Sequence, residues 1–348
     1  MPPAILMAMS HQVANAIRAA IGDHGPITFA EFMELALYGP GGYYEHPPVG
    51  DPGDFVTSPH VHPVFGSLLA IAIHSMHRTL GSPAPLRIVE AGAGDGTLAV
   101  QVLAGLDDLD VDYTAVEVSH GARDALDAVG GLRVAEDVAG EPHVLIANEL
   151  LDNLPFRRVR GDKEVRVDVD NGGRFVESET SWDGAPGPAG QETIDHTGAL
   201  AFIDRLASVL TRGYAVLIDY GDAGSASDGV HGYRDHKVIE DVISDPGSVD
   251  ITAGIDFSAI SRRAEERGLL AYPTVSQHDA LRSLGLDDWL RDERDRQVAM
   301  LDAHEGLEAV RTWGGRSRAT LLVDPAALGR LRWLVLASKD LPAPDWLP

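Results

Sequence analysis

Two stretches of this chain combine residue types and spacings that can do chemistry. The first runs Arg87-Ile88-Val89-Glu90-Ala91-Gly92-Ala93-Gly94-Asp95-Gly96-Thr97. It reads as a buried strand ending in an acid, a turn over three glycines, and a helix opening at Thr97-Leu98-Ala99-Val100. Glycine lets the backbone bend sharply and approach a ligand closely, and a helix start offers unpaired N–H groups. The glycines fall as G-x-G-x-G, with Thr97 where the last glycine of a dinucleotide fingerprint would stand. Glu90 and Asp95 are also poor neighbours for a pyrophosphate, so a nicotinamide dehydrogenase is the weakest reading. The second stretch, Ile146-Ala147-Asn148-Glu149-Leu150-Leu151-Asp152-Asn153-Leu154-Pro155, sets polar and acidic side chains directly after an apolar strand. Buried carboxylates cost several kcal/mol unless paired or hydrogen-bonded. Such a cluster asks for a cationic or proton-donating partner, with helix capping by Asn148 or Asp152 as the competing reading.

The elements that would position these residues alternate. Short β-rich runs are predicted at 87–91, 113–118, 132–135, 143–147, 214–220 and 331–337. Helices are predicted at 97–105, 119–128, 197–211 and 258–267. This pattern argues an α/β fold with a doubly wound, mostly parallel Rossmann-like sheet, in which ligands sit at the carboxyl ends of the strands. Glu117, 21 residues after Gly96, is then placed to accept ribose hydroxyls. Asp137 would meet an adenine amino group and Val138 would pack on its ring. Ahead of the sheet, 1–82 reads as a helical and site-covering segment. Helices are predicted at 10–22 and, capped by Thr28 with Glu31 as capping-box partner, after Gly25-Pro26. Another follows at 64–80. Between them, Tyr38–Pro63 reads as a loop rich in Gly, Pro and aromatic residues that covers a site. The remainder, 83–348, carries an insertion at about 156–192. There Val165, Val167 and Val169 alternate up to Asn171-Gly172-Gly173, a hairpin signature.

Composition narrows the partners. With 53 acidic residues against 28 basic ones the net charge is −25, and no basic patch stands out, so nucleic acid is not an expected partner. No apolar run approaches the roughly 20 residues that span a bilayer, so no membrane insertion is expected. Met1–Met9 is apolar but lacks a basic flank and reads as a ragged leader. There is no cysteine, hence no disulfide, thiolate metal site or cysteine nucleophile, which fits a cytoplasmic location. His60-x-His62 has no third ligand close in sequence, so no metal is expected.

Over nearly its whole length the chain resembles the MidA-like methyltransferases, relatives of a mitochondrial complex I assembly factor that methylates an arginine. The resemblance lies in Ile27–Met33, Ala36–Pro40, Gly42-Tyr43-Tyr44, Gly53-Asp54-Phe55-Val56-Thr57-Ser58-Pro59 and the Glu90–Leu98 turn. It continues in Asn148–Pro155, Leu217-Ile218-Asp219-Tyr220-Gly221, Gly232–His236 and Pro246–Ala253 leading to Asp256-Phe257. It implies a class I fold and S-adenosylmethionine (SAM) as cofactor. Glu90, Gly92, Gly94, Gly96, Glu117, Asp137 and Val138 would hold that cofactor, with Asp54 and Thr57 closing over it. Glu149, Asp152 and Asn148 would carry the transfer; Tyr43, Tyr44, Asp219 and Tyr220 would line the acceptor channel. The implied acceptor is an arginine of a protein, with a respiratory complex I subunit the first to examine, and a homodimer is a further expectation. Small-molecule methylation, or a SAM-binding assembly factor with little catalysis, are the alternatives. Two positions depart from the family pattern. His60 stands where a glutamate is usual, and Asp95 where an arginine is often found.

Overall fold

The computed structural model describes residues 3–45, 57–188, 190–222, 229–234 and 237–347, and side chains from His11 onward. A mixed sheet forms its centre. Its longer strands are β1 (Leu86–Ala91), β2 (Val111–Val116), β3 (Arg133–Ala135), β4 (Val144–Asn148), β5 (Tyr214–Asp219) and β6 (Arg332–Ala337). Their order across the sheet is β6-β5-β4-β1-β2-β3, and all are parallel except β6. The chain winds outward from β1 through β2 to β3, then returns to place β4 on the other side of β1. That reversal opens a crevice at the carboxyl ends of β1 and β4, the usual place for a ligand in open α/β sheets.

Side chains that alternate along a strand point to opposite faces, and here both faces are apolar. Ile88, Val144, Ile146, Val216 and Trp333 pack on one face with Phe65, Leu69 and Ile73 of the helix Val64–Thr79. Val89, Leu145, Ala215, Leu217 and Leu334 pack on the other with Ile203 and Leu206 of the helix Thr197–Val209, and with Ile260 of the helix Phe257–Glu266. The sheet is thereby dry, and the polar groups that follow its strand ends stand out.

A third core joins the two segments that lie outside this layered body. Val13 and Ile17 of the helix Pro3–His24, and Phe29 and Phe32 of the helix Phe29–Met33, pack with Phe156, Val167, Phe175 and Ile251. Thr28 caps the second helix in a complete capping box with Glu31. The insertion holds Arg157–Arg160, Lys163–Val169, Phe175–Ser181 and Glu192–Asp195 in an antiparallel sheet, to which Ile27–Thr28 adds an edge. The first helix begins at Pro3, well before the predicted start at Ser10, so the stretch read as a ragged leader is largely helical. Three helices between the last predicted helix and β6 had no sequence prediction: Gln277–Ser283, Leu286–Asp302 and Gly306–Ala319.

Candidate active site

The turn after β1 is built on three left-handed glycines, Gly92 (φ +71°), Gly94 (+55°) and Gly96 (+80°). They are needed for different reasons. A β-carbon at Gly92 would lie 2.8 Å from Leu150 Cδ1, and one at Gly96 2.9 Å from Leu126 Cδ2, whereas one at Gly94 meets nothing within 4 Å. Packing excludes side chains at the outer two, while Gly94 faces a cavity of about 410 Å³. Across the turn, Glu117 accepts Gly94 N–H and Ser119 N–H, each at 3.0 Å and each on a separate oxygen. Glu90 is buried and accepts the Tyr113 hydroxyl at 2.6 Å. Burial outweighs that hydrogen bond and pushes its carboxyl up to about 8, with the charges of Asp95 and Glu117 adding to the rise.

Opposite the glycine turn, the end of β4 supplies Asn148 and Glu149. Glu149 has φ +52°, an uncommon backbone state for a residue with a side chain, which puts its carboxyl on the cavity wall. Glu149 Oε1 accepts Ser58 N–H at 3.0 Å and the Asn148 amide at 3.3 Å. Burial nevertheless raises its carboxyl to about 7, and the nearby charge of Asp152 contributes. Asp152 and Asp219 are buried behind this wall. Asp152 Oδ2 accepts the Thr252 hydroxyl at 2.6 Å; Asp219 accepts the backbone N–H groups of Leu151 at 2.7 Å and Tyr220 at 2.8 Å. Burial raises both carboxyls, and for Asp219 the charge of Asp152 adds to it. The three carboxyls therefore sit together with neutral hydrogen-bond donors. Asn148 Oδ1 is buried and has no hydrogen-bond partner among the described residues, while the Asp152 carboxyl lies against that of Asp219.

The N-terminal segment closes the cavity. Tyr38 and Tyr44 stack with ring centroids 5.4 Å apart; Tyr38 donates to Asn153 O at 3.1 Å and Tyr44 to Asp250 Oδ1 at 2.8 Å. Thr57, Pro59 and His60 form the opposite lip.

Most residues singled out in the sequence meet at this cavity: Glu90, Gly92, Gly94, Glu117, Asp137, Val138, Asn148, Glu149, Thr57 and Tyr44 all line it. Gly96 supports the turn from behind. Four others are placed differently. Tyr43 is a core residue packed edge-on to Tyr44 and does not line the cavity. Asp152 and Asp219 act from the second layer, and Tyr220 lies below the Arg330 guanidinium, 5.2 Å from its ring centre. Asp137 reaches the rim, where its carboxylate is paired with Arg205 at 2.6 Å, leaving Val138 as the buried contact. Asp54 lies outside the described residues. His60 and His62 diverge: His60 turns to Asp95, while His62 packs edge-on against Trp289 with ring centroids 4.9 Å apart. Ser58, Asn153 and Asp250 were not singled out in the sequence, although Thr-Ser-Pro and Asn-Leu-Pro neighbours pointed to two of them.

A match to the family of S-adenosyl-L-methionine-dependent methyltransferases spans residues 68–274. The chain belongs to that family. It is 31% identical to protein arginine methyltransferase NDUFAF7, mitochondrial, of Xenopus tropicalis, over 80% of this chain and 76% of that protein. It is also 31% identical to the Homo sapiens protein of that name, over 77% of this chain and 72% of the other. A solved COG1565 superfamily protein from Burkholderia thailandensis, bound to S-adenosyl-homocysteine, superposes with a TM-score of 0.82 at 28% identity. The match covers 97% of this chain and 94% of that one. The protein is thus a SAM-dependent methyltransferase with an α/β methyltransferase fold.

These relatives correct one expectation. Those from Xenopus tropicalis, Homo sapiens and Drosophila melanogaster are all named as mitochondrial, which overturns the cytoplasmic assignment. That assignment rested on the lack of cysteine, which does not distinguish one reducing compartment from another.

The methyltransferase's own residues fit SAM. The open face of Gly94 leaves room for a ligand against the backbone, and the cavity volume is within the usual range for cofactor sites. Glu117 offers two carboxylate oxygens beside the turn. The unpartnered Asn148 Oδ1 and the acidic wall suit a cofactor bearing an ammonium and a sulfonium.

Proposed function

We propose that this methyltransferase transfers the methyl group to an arginine guanidinium of a protein. The observation that carries this reading is the cluster of the buried carboxyls Glu149, Asp152 and Asp219, whose hydrogen-bond donors among the described residues are neutral. A guanidinium brings a fixed positive charge and five N–H donors in a planar fork that matches a carboxylate. Its positive charge would oppose the burial that now pushes these carboxyls upward, which draws Glu149 back to its ionised form at neutral pH.

Bound SAM supplies an electrophilic methyl carbon activated by its sulfonium. The chain has to position the acceptor, exclude water and manage one proton. Glu149, on the cavity wall, would orient one guanidinium nitrogen and take its proton as the methyl group passes to that nitrogen and its bond to sulfur breaks, leaving a neutral thioether. Asp152 and Asp219, raised by burial behind it, would gain negative charge as the guanidinium approaches. The stacked Tyr38 and Tyr44 close the side through which water would enter. The net charge of −25 favours a cationic acceptor at the encounter stage, and the names of the curated relatives point the same way.

The test is transfer of tritium from labelled SAM into a lysate of a strain lacking the protein, followed by acid hydrolysis. The expected product is labelled methylarginine in protein. Label confined to small molecules, or absent from protein altogether, would overturn the assignment.

A further inference from the structure

The lip that covers the cofactor cavity is tied to the glycine turn through one side chain. Thr57 Oγ1 lies 2.8 Å from His60 Nδ1, and His60 Nε2 lies 3.0 Å from Asp95 Oδ2. Asp95 Oδ1 in turn accepts Thr97 N–H at 3.0 Å, at the start of the helix Thr97–Ala104. A line of hydrogen bonds therefore crosses from lip to turn, and Thr57, His60 and Asp95 all border the cavity. The next residue after Thr57 faces the chemistry. Ser58 N–H donates to Glu149 Oε1, while the Ser58 hydroxyl is held at 3.2 Å by the amide of the buried Gln277. The short turn Ser58–Val61 carries the tie on one side and the donor to Glu149 on the other.

The charges around this contact are consistent with a built clasp. Burial works against Asp95, yet the hydrogen bonds from His60 and Thr97 hold its carboxyl down to about 2. The groups facing His60 are Thr57, Asp95 and Glu149, and Glu90 lies behind Asp95.

We propose that His60 and Asp95 form a clasp that fixes the Thr57–Val61 turn on the glycine turn, making His60 a positioning residue for both cofactor closure and Glu149. Its first consequence depends only on the cofactor cavity; its second rests on the reading of Glu149 given above. In the clasped state Ser58 N–H stays on Glu149 and favours its ionised form. With the clasp open, that donor drifts away and the carboxyl titrates at higher pH.

The experiment compares S-adenosyl-homocysteine affinity by calorimetry for wild type, H60A, D95A, H60A/D95A and the polarity-exchanged H60E/D95R, with thermal unfolding as the check on folding. Each single variant is expected to bind about tenfold more weakly, the double variant no worse than either single one, and the exchanged pair to return to near wild-type affinity. Wild-type binding by the singles, additive losses in the double variant, or an exchanged pair as weak as H60A/D95A would overturn the clasp. The pH profile of kcat/KM tests the second consequence. Its ascending limb should move to higher pH in H60A and D95A and return in H60E/D95R. A limb that stays in place while binding is lost and rescued would overturn the link to Glu149 alone. Because the binding cycle contains no methyl acceptor, its outcome is separate from that of the arginine assignment.

Discussion

Replacing Glu149 by glutamine should separate stability from activity, and the structure sets the size of the effect. Burial moves this carboxyl from 4.5 to about 7 in the cofactor-free protein. A carboxyl raised on folding contributes stability that is present below the unfolded value and is lost as pH rises through 7, because the native state keeps a proton the unfolded chain has released. At 1.36 kcal/mol for each tenfold, the displacement is worth roughly 3 kcal/mol as an upper bound. Glu149 opens on the cavity, where water screens it, so about 2 kcal/mol is the working figure. Glutamine keeps the shape and never ionises. The cofactor-free Glu149→Gln variant should therefore exceed wild type by less than ~1 kcal/mol at pH 5 and by about 2 kcal/mol at pH 8.5. For a chain of 348 residues that is ~3 °C in Tm. Methyl transfer at pH 8 should fall at least ~100-fold, the usual size of a lost proton acceptor. Urea unfolding at the two pH values, beside a tritium-transfer assay, measures both. A variant equally destabilised at both pH values, or one that keeps its activity, would refute the reasoning.

Gly94→Val should abolish S-adenosyl-homocysteine binding in a thermal-shift assay while lowering the cofactor-free Tm only slightly, since φ +55° costs about 1–3 kcal/mol for a side chain and nothing lies within 4 Å. Gly96→Ala should do the reverse in kind, destabilising the cofactor-free fold through the 2.9 Å contact with Leu126. Glu117→Gln leaves only one acceptor oxygen for two backbone donors and the ribose, so calorimetry should show affinity down by about 10- to 100-fold. Trp333→Ala removes a fully buried ring that packs on Phe65 and Trp346, and urea unfolding should show a loss of about 3–5 kcal/mol.

Much of the site was legible because its residues follow strand ends in the sequence. Glu90, Glu117, Val138 and Asn148–Glu149 each follow a run of apolar residues, and the crossover order brings those ends together. Where the reading failed, the cause is physical. The helix Leu286–Asp302 buries Leu286 and half-buries Trp289 and Leu290 in its first turn, but the wholly polar run Arg291–Gln297 follows, so the apolar spacing does not repeat for a periodicity search to find. Tyr43 sits beside a tyrosine that does line the cavity, and sequence cannot say which of two adjacent rings turns inward. Asp137 lines the cavity rim with its carboxylate on Arg205 of the helix Thr197–Val209, a pairing over 68 residues of chain that no local pattern announces. The contact between His60 and Asp95, 35 residues apart in the chain, is out of reach of the sequence for the same reason.

The central claim, that the acidic wall beside the SAM cavity receives a protein guanidinium, is tested most directly by peptide mapping. Arginine methylation would be mapped across the proteome of a strain lacking the protein, and of the same strain expressing either wild type or Glu149→Gln. The account predicts at least one arginine that is unmethylated without the protein, methylated with wild type, and unmethylated again with the variant. Restoration of methylation by Glu149→Gln, or dependence that maps to residues other than arginine, would contradict it.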